Sequence, residues 1–286
     1  MDRALYGATM NAVGKAIWFI ETHFSGDVSL DEIAKSVGVS RYYLVRALGV
    51  ATGRSVMRYV RGRRLTEAAR SLINGAPDIL TVALDAGYSS HEAFTRAFRE
   101  QFGLTPETVR AQRRLCNIEL VEPIKLNEKL IPDLKPARFE NGGPLLIAGL
   151  GERYTWETSK AAPAQWQRAV QRFGDIPRRV GEDTFGVVCN GDDEGNFDYI
   201  AGVEVADFSD LPAGLSRMRI GPQKYVVFSH RGHISTIRST VKTIWTKWLP
   251  ESGHEVADAP SFERFGEEFD AQTGMGGFEI WMPIKA

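Results

Sequence analysis

Residues 87–106 read GYSSHEAFTRAFREQFGLTP and predict a tight turn followed by a helix with two unlike sides. Glycine permits the turn, and a serine can accept hydrogen bonds from the free N–H groups at the start of the helix. Phe94, Ala97 and Phe98 follow the spacing of a buried helical face. The opposite side carries His91, Glu92, Thr95, Arg96 and Arg99. These side chains are therefore candidates to meet a partner.

The same pattern occurs earlier in the chain. Residues 33–53, IAKSVGVSRYYLVRALGVATG, match residues 82–103 in the order short helix, glycine, small polar residue, second helix and closing glycine. This internal duplication predicts two helix-turn-helix units. The outward side of the second helix in the first unit carries Tyr42, Val45 and Arg46.

Residues 54–73 lie between the two copies and predict one long helix with many arginines. Arg61 and Arg63 are two of them, and arginine pairs well with phosphate oxygens. We therefore expect a rigid spacer that contributes phosphate contacts.

The chain has 286 residues, 43% of them hydrophobic, which is enough for two globular domains. Its net charge of −1 divides into +5 for residues 1–114 and −6 for residues 115–286, so only the first part is a candidate to bind a polyanion. Two distant cysteines, Cys116 and Cys189, predict neither a disulfide framework nor a zinc site. No apolar run of about 18 residues occurs, and we expect a cytoplasmic protein without a membrane span.

Residues 13–113 resemble the DNA-binding domain of the AraC family of transcription regulators. The resemblance rests on the doubled unit, the RGRRLTEAA core of the spacer helix and the run GYSSHEAFTRAFREQFGLTPETVR. It implies binding to double-stranded DNA, with two recognition helices entering successive major grooves about 34 Å apart.

The resemblance also implies roles for individual residues. Arg46 and Arg96 fall where the family places groove-facing residues, and arginine can bond guanine O6 and N7 together. A solvated or internally paired arginine is the alternative. We expect Tyr42, His91 and Thr95 to touch sugar, phosphate or a thymine methyl group. Glu92 departs from the family pattern, because a carboxylate repels phosphate and could only accept from a cytosine amino group.

The composition changes after residue 114 to strands and turns, and three prolines indicate a semi-rigid connector. We therefore predict an all-α DNA-binding domain at 1–114, a linker at 115–134 and an α+β domain at 135–286. Two β-α-β-β pseudo-repeats predict an antiparallel sheet with two helices on one face. The other face or a groove would be free for a ligand.

Residues 135–286 resemble the GyrI-like effector-binding domains through YVVFSHRG, WLPESG, SFERF and FEIWMPIK. The resemblance implies a pocket in which aromatic side chains and a glutamate on the last strand receive a lipophilic, often cationic molecule. That glutamate matches Glu279, and strand alternation places Trp281 on the same face. An exposed Glu279, or one paired with an arginine such as Arg231, is the alternative. The expected pocket wall is Tyr154, Trp156, Trp166, Tyr199 and Trp245, although an aromatic residue at helical spacing more often belongs to the core.

The sequence thus predicts a one-component transcription regulator in which an effector changes DNA occupancy or the contact with RNA polymerase. No cofactor or catalytic triad is indicated, and His230 and His233 lack a third metal ligand nearby. One alternative is a hydrolase in which Glu279 acts as general base on water. Another is an architectural DNA binder whose second domain is only structural.

Overall fold

A computed structural model describes residues 11–115, 118–126, 130–136 and 138–286. The chain divides into two compact units, Met1–Leu44 with Ser55–Leu126 and Val45–Arg54 with Asn127–Ala286. Cys116 lies outside the described residues. No helix among the described residues is long and apolar enough to cross a membrane.

The first part of the chain is helical and contains both predicted helix-turn-helix units, which confirms the predicted fold class. The spacer helix begins at Val56, two residues after the predicted start. The helices in the described residues before 113 are α1 (Ala12–His23), α2 (Leu30–Val37), α3 (Arg41–Thr52), α4 (Val56–Ile73), α5 (Ile79–Asp85), α6 (His91–Phe102) and α7 (Pro106–Gln112).

Capping residues set the limits of α6 in the second helix-turn-helix unit. The Ser90 hydroxyl accepts from the Ala93 N–H at 3.2 Å and starts α6, and Gly103 ends that helix at φ 71°. A left-handed C-cap favours glycine because it has no Cβ. On the buried side of α6, the Phe94, Phe98 and Phe102 rings pack in sequence, with centroids 5.4 and 4.8 Å apart. This aromatic row holds α6 against α4 and turns its polar side outward.

Part of the predicted linker packs against α4. We call residues 118–126 the strap. The Val121 N–H donates to Thr66 Oγ1 at 2.9 Å, and Arg63 Nη1 donates to the Val121 carbonyl at 3.0 Å. Gly62 gives the Val121 side chain room, since a Cβ there would lie 2.7 Å from Val121 Cγ2. The strap therefore belongs to the first compact unit.

The second compact unit is an antiparallel sheet with helices, as predicted, and the sheet has eight strands rather than the six of the two predicted repeats. Its strand order is β1-β6-β8-β7-β3-β4-β2-β5, in which the two β-α-β-β repeats meet at the β3–β7 pair. The elements are β1 (Arg138–Gly142), β2 (Leu145–Thr155), α8 (Ala162–Val170), β3 (Arg179–Cys189), β4 (Asn196–Val205), β5 (Ser216–Ile220), β6 (Gln223–His230), α9 (Ile237–Thr243), a π-helical segment (Ile244–Trp248), α10 (Leu249–Ser252), β7 (Ser261–Phe265) and β8 (Phe278–Pro283).

Both faces of the sheet are packed, so the sheet has no free face among the described residues, and the alternative of a groove stays a prediction. The face toward α8 carries a cluster that includes Tyr199, Ala201 and Phe173. The opposite face carries a second buried cluster that includes Val187 and Phe262, whose side chains are at most 3% exposed. Strands that are apolar on both faces cannot leave one of them to solvent.

Candidate functional sites

The polar side of α6 gathers the second set of predicted DNA contacts. Arg96 and Arg99 are exposed, whereas Phe94 and Phe98 are buried on the opposite side of the helix. One open concavity is lined by His91, Glu92, Thr95, Arg96 and Arg99, together with Glu100 and Thr105. The five predicted residues therefore lie side by side.

Two carboxylates adjust the charge of this surface. Glu92 has a pKa below its ordinary value, because its carboxylate accepts from its own backbone N–H and from the Ser90 side chain. His91 Nε2 lies 3.0 Å from a carboxylate oxygen of Glu107. Because Glu92 stays ionised and exposed, this surface can accept hydrogen bonds as well as donate them.

The predicted DNA contacts of the first helix-turn-helix unit lie in a different environment. Tyr42 is half-buried on α3. Arg46 is only 6% exposed and belongs to the second compact unit. Its contact with a base stays a prediction about the DNA-bound state.

Arg61 and Arg63 on α4 have unlike surroundings. Arg61 is exposed and remains a candidate phosphate contact. Arg63 is 4% exposed, and its Nε donates to both carboxylate oxygens of Glu21 at 3.0 and 3.1 Å. A guanidinium with these bonds and a further bond to the strap cannot also bind a phosphate. The expectation of a phosphate contact at Arg63 is therefore not supported, because helical position turns this residue inward.

Glu279 lies on β8 and is paired with an arginine. Arg138 Nη1 and Nη2 donate to its two carboxylate oxygens at 2.5 and 3.1 Å, and Trp281 Nε1 donates at 3.0 Å. Burial alone would raise the pKa of Glu279, but these bonds outweigh it and hold the pKa below its ordinary value. The acid is satisfied within the protein, by Arg138 rather than by Arg231.

The structure does not bring Glu279 together with the predicted aromatic wall. Trp281 shares the face of Glu279 and stacks on Phe262 at 5.2 Å. The wall residues cluster on the opposite face of the sheet, beside α8. These are Tyr154, Trp156, Trp166 and Tyr199. Alternation along a strand separates two faces, and sequence alone did not show which face the helices cover.

Glu263 on β7 lies on the α8 face of the sheet, beside the aromatic residues that were expected to form the pocket wall. The Tyr199 hydroxyl donates to its Oε2 at 2.9 Å, and Trp166 Nε1 donates to that hydroxyl at 2.9 Å. Within the described residues, no cation lies at ion-pair distance from Glu263, and Tyr199 provides the one hydrogen bond to its carboxyl. Burial raises the pKa of Glu263 to about 7, although the bond from Tyr199 opposes the shift.

A glycine makes room for this group. Gly186 pairs with Glu263 across the β3–β7 contact, and a Cβ at Gly186 would overlap with the Glu263 carboxylate and the Tyr199 hydroxyl. Sequence reasoning missed Glu263, although SFERF was quoted as a family motif. The available signal was a glutamate between two phenylalanines on one strand and a glycine in the middle of another.

The remaining predicted wall residues have varied surroundings. The Tyr154 hydroxyl donates to Glu152 at 2.7 Å, and the Trp156 ring lies 4.7 Å from that of Phe197. Trp245 is 4% exposed within the π-helical segment. Their roles toward a ligand stay predictions.

Comparisons with known proteins agree with this architecture. Residues 136–285 match the model of the GyrI-like small molecule binding domain, and residues 33–112 match that of a helix-turn-helix domain. The transcriptional regulator Rob of Salmonella typhimurium is 25% identical over 266 residues, which cover 90% of this chain and 91% of Rob. The regulatory protein SoxS of Escherichia coli is 37% identical over 94 residues, 33% of this chain and 88% of SoxS.

Among solved structures, SAV2435 bound to tetraphenylphosphonium is 20% identical with a TM-score of 0.45, over 52% of this chain and 93% of that one. The chain belongs to the GyrI-like small molecule binding family and carries an AraC-type helix-turn-helix domain before it. It is thus a DNA-binding transcription regulator with a small-molecule binding domain, and the comparisons do not support the hydrolase alternative.

Proposed function

We propose that the effector of this regulator is a lipophilic cation whose charge is received by Glu263. The observation that carries the proposal is a half-buried glutamate on the α8 face of the sheet, whose pKa is raised to about 7 and whose carboxyl accepts a hydrogen bond from the Tyr199 hydroxyl. A buried carboxylate without a cation is costly, which is why its pKa rises.

A cationic guest would lower this cost, whereas a neutral guest of the same shape would not. The Trp166 ring stands beside the carboxyl, held by Phe265 at 5.3 Å and by the bond from its Nε1 to Tyr199. Indole faces attract cations at short range. Charge and aromatic surface would then select the same class of ligand, and the ligand would be bound without being consumed.

We propose further that the polar side of α6 reads one half-site of the operator. Arg96 is exposed there and can bond guanine through O6 and N7. Effector binding would regulate transcription through differential affinity for two states of the chain, which changes DNA occupancy or the contact with RNA polymerase. This activity belongs in the cytoplasm, where DNA and polymerase meet.

Two probe ligands of equal shape test the effector site. We would titrate phenyltrimethylammonium and its neutral isostere tert-butylbenzene into the wild type, Glu263→Gln and the control Glu279→Gln. Glu263→Gln removes the charge partner of the quaternary ammonium and should weaken the cation by about 1–3 kcal/mol, by analogy with hydrogen bonds to charged groups, and leave the neutral ligand unchanged. Equal losses for both probes, or a selective loss in Glu279→Gln, would contradict the assignment.

A further inference from the structure

Arg64 lies at the middle of α4, between the two helix-turn-helix units. Its Nε donates to the Phe24 carbonyl at 2.6 Å, and its Nη2 donates to the Gly26 carbonyl. Both carbonyls belong to the loop between α1 and α2. One side of the guanidinium is therefore bound to the loop that leads into the first helix-turn-helix unit.

The other side of the same guanidinium faces the second helix-turn-helix unit. Gly87 forms the turn between α5 and α6 at φ 81°, and a Cβ at this position would lie 3.1 Å from Arg64 Nη1. The Gly87 N–H donates to the Leu84 carbonyl at 2.9 Å, which fixes the turn at the end of α5. The guanidinium thus packs against the turn that leads into α6.

Arg64 therefore differs from a phosphate contact. Two of its three nitrogens donate to backbone carbonyls at one side, and the third faces a tight turn at the other side. A guanidinium is planar and presents its donors in a fixed fork, so it holds both partners at a set distance. A flexible ammonium cannot impose the same geometry.

We propose that Arg64 is a positioning residue that fixes the separation of the two helix-turn-helix units and so selects the spacing of the two half-sites in DNA. The proposal rests on the proposed DNA reading. One added base pair rotates the second half-site by about 34° and moves it along the helix axis, given about 10.5 base pairs per turn. A rigid joint between the units penalises this change, whereas a loose joint tolerates it.

The test compares spacing profiles of the full chain. A 40-base-pair duplex is first selected by the wild type from a random pool, and guanine methylation interference locates its two half-sites. Duplexes with one base pair inserted or removed between the half-sites are then titrated with wild type, Arg64→Lys and the control Arg61→Lys. The control keeps the charge and alters an exposed residue of the same helix.

The wild type and Arg61→Lys should lose at least about tenfold in affinity on the altered spacings, or 1.4 kcal/mol. Arg64→Lys should bind the original duplex less tightly and lose less than about threefold on the altered spacings. Arg64→Gln, which also lacks the fork, should behave in the same way.

Three outcomes decide the matter. An unchanged spacing profile in both Arg64 variants, or an equal loss at every spacing, would overturn the positioning role and leave DNA reading intact. If the wild type itself does not prefer the selected duplex to a scrambled one, the proposed DNA reading fails first. Flattened profiles in the Arg64 variants alone support the proposal.

Discussion

Two glutamates on neighbouring strands of the second unit have opposite protonation behaviour. Glu279 is held ionised by Arg138, whereas the half-buried Glu263 has no cation at ion-pair distance among the described residues. The difference follows from strand alternation, which places the two side chains on opposite faces of one sheet. Of these two glutamates, Glu263 is the one whose carboxyl changes its charge near neutral pH.

The stability of the fold should therefore depend on Glu263 between pH 4.5 and 7. In this window the unfolded carboxyl is mostly ionised and the folded one keeps its proton, so the folded state binds more protons and stability falls as pH rises. Glu263→Gln should remove this contribution to the fall of the free energy of unfolding with pH. Thermal unfolding from pH 5 to 8 measures it, with Glu279→Gln as the matched control. The same slope in wild type and Glu263→Gln would contradict the raised pKa.

Binding of a cation should release a proton at mildly acidic pH. The bound charge stabilises the Glu263 carboxylate and lowers its pKa, so the protein sheds the proton that it held. Calorimetry with phenyltrimethylammonium at pH 6.5 in phosphate and in ACES, two buffers that titrate near this pH and differ in ionisation enthalpy, counts that proton. Glu263→Gln should show equal binding enthalpies in both buffers. A buffer-independent enthalpy in the wild type would place the cation elsewhere.

Arg96 and Arg61 should fail in different ways when truncated. Arg96→Ala should cost about 1–3 kcal/mol on the selected duplex and relax base preference at one position. Arg61→Ala should weaken binding to all sequences. It should also reduce, by about 0.9, the steepness with which the logarithm of the DNA-binding constant falls with the logarithm of the salt concentration. Titrations of specific and scrambled duplexes at several salt concentrations separate the two. Equal losses on both duplexes for Arg96→Ala would make it a phosphate contact.

At the scale of elements, the strap should contribute to the stability of the first compact unit. Gly62→Val places a side chain where Val121 packs, and it should expel the strap at a cost of about 2 kcal/mol for lost apolar burial. A fragment that ends at residue 126 should likewise melt higher than one that ends at 114. Circular dichroism melts of the two fragments, each with and without Gly62→Val, measure this. If the substitution destabilises both fragments equally, the strap contributes nothing.

Helical and strand periodicity predicted most elements, because long amphipathic segments carry their own signal. The doubled unit, α8 and the two hairpins β3–β4 and β7–β8 were predicted in the observed order. Strands β1 and β5 were not predicted, since each has five residues at an edge of the sheet. Edge strands this short show little alternation, so only pairing with a neighbour defines them.

The candidate sites were less predictable than the elements. The polar side of α6 was predicted correctly as a surface, since residues three and four apart share a helical face. Arg63 and Glu263 depend on contacts between distant parts of the chain, with Glu21 and Tyr199. Local sequence does not encode such contacts, so it could not show that Arg63 is buried or that Glu263 lies beside the expected aromatic wall.

At the scale of the whole molecule, charge and chemistry are divided between the two parts of the chain. Residues 1–114 carry a net charge of +5 and the exposed arginines of α6, whereas the acidic remainder carries the half-buried Glu263 on β7. This division suits a regulator that binds DNA through one part and a cation through the other. Linkage requires that any effect of the cation on DNA affinity be matched by an equal effect of DNA on cation affinity.

Guanine methylation interference with the full chain on its selected duplex tests the central claim most directly. Two helix-turn-helix units in one chain should produce two interfering clusters of major-groove N7 positions, about 10–10.5 base pairs apart on one face of the duplex. Arg96→Ala should remove guanine contacts from one cluster only. A single cluster, or interference no stronger than on a scrambled duplex, would contradict a bipartite reader of DNA.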